Sequence, residues 1–183
     1  MNKILYKSLP EDKSPHGHTF KLNKWYKEED IKICERGFHA SENAIDAMSY
    51  VGCGWIAKVE VRGEHQKEDD KECWSEMRIV KWHKWDKKDS VSLAIYAAEL
   101  VIDIFEKEYP NDKRPRNAIE AAKKVLKNDT AKNRAAARAA AGAAAGAAAW
   151  AAAGAAARAA AWAAAGDKIK QKCHDFVITR AGL

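Results

Sequence analysis

The sequence contains no recognisable catalytic motif, and its cysteines do not supply one. Cys34, Cys53, Cys73 and Cys173 show no CxxC spacing, which removes the common redox and zinc arrangements. His16 and His18 lie two apart and Cys34 and His39 five apart, but no second ligand pair follows at a recognised spacing, so no metal site is expected. The leading stretch MNKILYKSLPEDK lacks the apolar run of a signal peptide. Together with the unpaired cysteines this fits a reducing, cytoplasmic setting. No membrane span is expected either. The one long small-residue run carries Arg134, Arg138 and Arg158, each costing roughly 2.5 kcal/mol or more near a bilayer centre, and alanine offers little in return. That run also lacks threonine and any 11-residue repeat, which excludes a flat ice-matching helix face.

What the chain does have is a tract from Arg134 to Gly166, RAAARAAAGAAAGAAAWAAAGAAARAAAWAAAG, in which three alanines are followed by Arg, Gly or Trp. Alanine is the best helix former, so the tract is predicted to be helical. A period of four advances the fourth residue by about 40° per repeat, so these positions spiral around the axis and every face is mostly methyl groups. Such a surface lets helix axes approach closely. The tract is expected to pack on a helix running from Leu93 to Phe105, as a single rod of about 50 Å or broken at Gly142–Gly146. Arg158 and Trp162 are spaced for a cation–π contact. Alanine faces of this kind could also pair two copies of the chain as a homo-oligomer.

Two different grammars precede and follow residue 88. Over 1–88, strands are expected at Ile4–Leu9, His18–Leu22 and Ile31–Cys34, with Gly37 as a turn residue and Ser41 capping a short helix that carries Ala44, Ile45 and Met48 on one face. WIAKVEVRGE and CWSEMRIVKWHKW read as two strands joined by the charged turn HQKEDDKE. Over 89–183 the pattern is helical. DSVSLAIYAAELVIDIFEKEY starts at an Asp or Ser cap and is apolar nearly all round, the mark of a helix in the middle of a bundle. Pro110 stops it. Asp112 caps a second helix with Pro115 in its first turn, burying Ile119, Ala122, Val125 and Leu126. A last helix is expected from Asp167, with Ile169, Cys173, Phe176 and Val177 on one side. The expected fold class is therefore α+β: a small antiparallel sheet with a helix over 1–88, then an alanine-rich helical bundle over 89–183.

Three groups of residues could carry function. His39, between Gly37 and Ser41, is placed to meet a ligand phosphate, with Ser41 beside it; the competing reading is a structural histidine hydrogen-bonded beneath a turn. Lys81, Trp82, His83, Lys84, Trp85, Lys87 and Lys88 interleave aromatic and basic side chains, which suits a partner surface or stacking on nucleic-acid bases. The alternative is an edge strand or linker whose tryptophans cover a junction. Glu99 and Asp103, one helical turn apart, could act as paired acids, but neutralisation by Arg114, Arg116 or a tract arginine is simpler. The net charge of +6 permits an acidic partner, protein or nucleic acid.

Two resemblances add to this. DSVSLAIYAAELVIDIFEKEYPNDKRPRNAIEAAKKVLKND followed by the AAAR, AAAG and AAAW tetrads resembles the Imm5-like immunity-protein domain of bacteria, over roughly Ser90 to Arg180. CERGFHASENAIDAM and KVEVRGEHQKEDDKECWSEMRIVK are similar to a domain of unknown function common in phages and prophages. Neither family brings a catalytic residue set. The resemblances imply a non-enzymatic binding protein of phage or mobile-element type, without cofactor. Its partner would be a bacterial protein or ribonucleoprotein complex, such as a toxin or a CRISPR effector, met in the cytoplasm (that of the host if phage-encoded). A nucleotide-binding or ADP-ribosyltransferase-like enzyme centred on His39 and a direct nucleic-acid binder are the alternatives.

Overall fold

A computed structural model describes residues 2–12, 19–51, 54–154 and 159–183, with side chains outside 146–165. The chain falls into two compact units, Met1–Asp86 with His174–Leu183, and Lys87–Cys173. The first contains strands β1 (Lys3–Leu9), β2 (Trp25–Lys27) and β3 (Phe38–Ala40), helix α1 (Ala44–Tyr50), and the long strands β4 (Trp55–Lys67) and β5 (Glu72–Lys84). The second contains α2 (Lys87–Glu99), α3 (Ile102–Glu108), α4 (Arg114–Lys127), α5 (Ala131–Gly154) and the start of α6 (Ala159–Ala181). The fold is α+β, an antiparallel five-stranded sheet with a helical C-terminal part.

The β4–β5 hairpin is the frame of the sheet. Its charged turn closes with Glu68 N–H donating to the Lys71 carbonyl at 2.9 Å, and its register sets Val59 opposite Ile79 and Val61 opposite Met77. One edge of β4 takes β1, from Lys3 opposite Val61 to Leu9 opposite Trp55. The free edge of β5 takes β3 at Glu72–Trp74 and β2 at Glu76–Arg78, end to end. The register slips at Lys58/Val59 and Arg62/His65, and such irregularities bend and twist a strand. Ser41, just past β3, then pairs with Tyr6 on β1 through two backbone hydrogen bonds of 2.8 and 2.9 Å, so the two edges of the sheet meet. The interior is filled by Leu5, Leu9, Val59, Val61, Met77 and Ile79, all 0 % exposed, with Phe20 and Phe38; burying a side chain of this size stabilises by about 1.5–3 kcal/mol. Elsewhere on the sheet, the cross-strand pairs Glu60–Arg78 and Arg62–Glu76 set two guanidinium groups against the Trp25 ring, at 5.1 and 4.0 Å.

Local chemistry moves several expected elements. His18 lies outside the described residues, and 19–22 do not form a strand. Tyr26 Oη donates to Thr19 O and accepts from Lys21 N–H, Asn23 turns left-handed at φ 59°, and the strand is β2. Residues 32–36 form a turn closed by the Lys32–Arg36 bridge, with Cys34 at φ 67°, so the strand expected at Ile31–Cys34 is displaced to β3. Gly37 does turn the chain, at φ 112°, and a Cβ there would run into the Cys73 sulfur. Asn43, not Ser41, caps α1: its Oδ1 accepts from Ile45 N–H at 2.9 Å, because the Ser41 backbone is committed to β1. Ala44 and Ala47 are the buried residues of α1.

In the second unit the expected long apolar helix breaks at Leu100–Val101 into α2 and α3, within a β-branched run that crowds the preceding turn. It does not sit in the middle of a bundle. Ile95 and Ile102 are buried against Ile119 of α4, while Ile104 is 55 % exposed. Helix α2 begins before the expected cap, leaving Asp89 in its first turn where the helix dipole favours a carboxylate. Helix α4 has Pro115 in its first turn, Asp112 Oδ1 accepting from Arg114 N–H, and the anticipated face of Ile119, Ala122, Val125 and Leu126. Among the described residues, the α5 part of the tract packs on α4, and α4 in turn packs on α2. Helix α5 passes through Gly142 and Gly146 without interruption, since the alanines around each glycine outweigh its cost of about 1 kcal/mol. Helix α6 likewise runs through Gly166 and Asp167, so no new helix starts there. The Arg158–Trp162 pair lies outside the described side chains. Among the described residues, no helix is long and apolar enough to cross a membrane.

The end of α6 belongs to the first unit. His174 Nδ1 accepts from Ala44 N–H at 3.0 Å, at the start of α1, and its ring meets Tyr6 edge-on at 5.0 Å. Burial lowers the His174 pKa, opposed by Asp175 and Asp46. A histidine that is neutral in the fold and charges more readily when unfolded stabilises fully above pH 6.5, and this contribution is lost as pH falls through the lower folded value. Thermal melts at pH 7.5 and 5.5 should show a larger acid loss for the parent than for His174→Ala, which itself costs about 1 kcal/mol as a lost cap. Equal acid losses would remove this role.

Candidate functional site

A cleft of about 500 Å³ opens where β1 approaches β3, bounded by the 32–37 turn, α1 and Lys71. His39 and Ser41 both line it. The His39 ring accepts from Cys34 N–H through Nε2 at 2.9 Å, which ties the imidazole to the turn, and the Ser41 side chain is buried. The histidine is thus engaged beneath a turn while bordering a cavity.

The residue that sequence reasoning missed is Lys7. Strand alternation puts it on the same side of β1 as Leu5 and Leu9, both fully buried, so a lysine stands in a core-facing row. Its ammonium donates to the His39 carbonyl at 2.6 Å. Burial lowers its pKa to about 8, and Cys73 opposes that only slightly. Cys73 cannot act as a full counter-charge at neutral pH, because burial raises its own pKa to about 11 and its thiol donates to the Arg36 carbonyl. At the rim, Lys71 is held above its ordinary range by Cys34 and Glu68 and lies over the Tyr50 ring at 4.9 Å. The signal for Lys7 was present in LYKSL: a lysine in phase with two leucines.

The segment from Lys81 to Lys88 is distributed rather than gathered into one stacking surface. Lys81, Trp82, His83 and Lys84 belong to the end of β5, where the strand pairs with β4 and lies beyond its pairings with β2 and β3. Trp82 packs against the core and Trp55, and Trp85 is 4 % exposed, with His83 against its ring. Stacking on bases needs an accessible aromatic face, and Trp85 has none to offer. The charges remain outside: Lys81 and Lys88 are exposed, Lys84 approaches Glu11 at 3.5 Å, and Lys87 approaches Asp129 at 3.5 Å.

The paired acids of the second unit are used in ion pairs. Glu99 meets Lys123 at 2.8 Å, while Asp103 and Glu106 share Arg116 at 3.4 and 2.6 Å. Arg114, one of the expected partners, pairs with Asp112 instead. Among the described residues no group of His, Cys, Asp and Glu is arranged to hold a metal; His16 and His18 lie outside them.

The lowered pKa of Lys7 is directly measurable. At pH 7.5 a lysine titrating near 8 is about one-quarter neutral, against about one in a thousand for an ordinary lysine. Arylation by trinitrobenzenesulfonate, mapped by mass spectrometry across pH 6–10, should give Lys7 a rate profile with its midpoint near 8. A midpoint at or above 10 would contradict the desolvated environment.

Comparison with known proteins separates the two ends of the chain. The domain of unknown function DUF7666 matches residues 3–89, the stretch that builds the sheet and the cleft. No curated protein and no solved structure matches the chain. The second match runs over residues 83–177, through α2, α3, α4 and α5 with the tetrad tract, and takes in more than half of the sequence. By that match the chain belongs to the Imm-5 like putative immunity protein family.

Proposed function

We propose that the protein is a non-enzymatic inhibitor that neutralises a bacterial protein by forming a stoichiometric complex with it. The target would be a toxin or a defence complex such as a CRISPR effector, in the setting of a phage or mobile element. The observation that carries this reading is membership of an immunity-protein family across the helical part of the chain. It is supported by the use of the candidate acids Glu99 and Asp103 in ion pairs and of the His39 ring in a turn. The positive net charge suits an acidic partner surface, and Lys81, Lys84, Lys87 and Lys88 are the contact charges proposed for it. Trp85, buried, would support that surface from beneath, and Trp82 is half-buried at its edge against the core.

The test is a tagged pull-down from bacterial lysate with and without nuclease, followed by reconstitution with the purified captured protein. The expected result is a nuclease-resistant, fixed-stoichiometry complex that suppresses the captured protein's activity. It should survive His39→Ala and weaken about tenfold or more with Lys81→Glu and Lys88→Glu combined. Retention that disappears with nuclease would replace this reading with nucleic-acid binding, whose affinity falls steeply with salt.

A further inference from the structure

The most unusual group in the first unit is the Lys7 ammonium, and its surroundings specify what it would accept. An ammonium has three donors, and the contact described for Lys7 is the single bond to the His39 carbonyl. No carboxylate acts on it: Glu28 and Glu35 also line the cleft, but neither is among the charges that shift Lys7, and Glu35 is paired with Lys32 at 2.7 Å. Cys73 stays a neutral thiol. Lys7 is half-buried, and a cation that has lost part of its water without gaining a counter-charge is stabilised by any anion that can reach it. The cleft gives access, and its volume is in the range that holds a small organic molecule. Phe20, Phe38, Ala40, Val51 and Tyr50 supply apolar and aromatic wall, and Arg36 adds a second cation, whose acidic contact is a 3.9 Å approach to Asp30.

We propose that this cleft binds a small organic anion, its phosphate or carboxylate on Lys7 Nζ with Arg36 beside it and its aromatic body against Tyr50 and Val51. The site is independent of the inhibitor reading, which rests on the helical part of the chain. It also moves the centre of any ligand site in this region from the His39 ring to the Lys7 amine, because the ring nitrogen facing the turn is already bonded.

Isothermal titration with phenyl phosphate, benzoate and adenosine monophosphate tests this on the full chain. Phosphate and carboxylate recognition are separated by the first two probes, and a nucleotide by the third. At least one should bind at one per chain, with affinity reduced tenfold or more in Lys7→Met. Affinity should also fall about tenfold between pH 7 and pH 9 as Lys7 discharges. Glu28, Glu35, Arg36 and His39 also line the cleft; Tyr6, Tyr50 and Lys71 in its lining and Cys73 beside Lys7 are all shifted upward, and Cys34 is removed by Cys34→Ser. No saturable binding by any of the three probes overturns the proposal, as does a Lys7→Met variant that binds within twofold of the parent. Should Lys7→Met fail to melt cooperatively, the pH series on the Cys34→Ser chain decides, and affinity unchanged from pH 7 to 9 overturns the proposal.

Discussion

The backbone pairing of Tyr6 with Ser41 is the constraint on which the first unit depends. Two hydrogen bonds there join β1 to the chain just beyond β3 and so bring together strands whose other partners, β4 and β5, lie in the middle of the sheet. A flat sheet would not allow it. The irregularities at Lys58/Val59 and Arg62/His65 supply curvature, and Gly63 at φ 87° tolerates a geometry that side chains resist. Once the edges meet, Lys7 reaches the His39 carbonyl, Asn43 becomes the cap of α1, and His174 accepts the next free N–H of that helix. The cleft is the space left where a curved sheet, a five-residue turn and a two-turn helix cannot all pack on the same residues.

The second unit is held by a different balance. Among its described residues, Ile95, Ile102 and Ile119 form a buried cluster with a margin of partly buried neighbours. Its surface pairs, such as Lys123 with Glu99 and Arg116 with Glu106, are exposed enough that each contributes little. Helix propensity therefore matters more here than in the sheet. Alanine loses almost no side-chain freedom on ordering, and its small surface lets α5 lie close along α4. Thr130 Oγ1 accepts from Asn133 N–H at 3.1 Å, and Asn133 donates to the Asn128 carbonyl at 2.7 Å, which fixes the turn between these helices. A helical surface built this way needs only small residues at most of its positions.

Legibility in the sequence followed how local each signal was. The hairpin of β4 and β5 was readable because strict alternation flanks a charged turn, and α4 because Pro115 and the spacing of Ile119, Ala122, Val125 and Leu126 agree. The strands β2 and β3 were misplaced by a few residues. Their positions are set by Asn23 and Cys34 in left-handed turns and by Tyr26 binding the backbone of Thr19 and Lys21, none of which has a periodic signature. The apolar run from Leu93 to Phe105 suggested one central helix, but its break and its exposed Ile104 reflect which neighbours are available to cover it. At the cleft, His39 stood out by residue type, whereas Lys7 looked like one lysine among many until its phase with Leu5 and Leu9 was considered.

By itself, then, the sequence determined an α+β organisation, the helical start of the alanine tract in α5 and a family whose motifs lie along α3, α4 and α5, because propensity, turn residues and short-range periodicity act within a few residues of one another. Tertiary structure alone decided that α5 rests on α4, that Trp85 is buried, and that Lys7, His39 and Arg36 share one cavity. The packing of α5 on α4 depends on the turn that joins them, and the other two outcomes on sheet curvature and on packing between residues distant in sequence, quantities that no periodic pattern encodes.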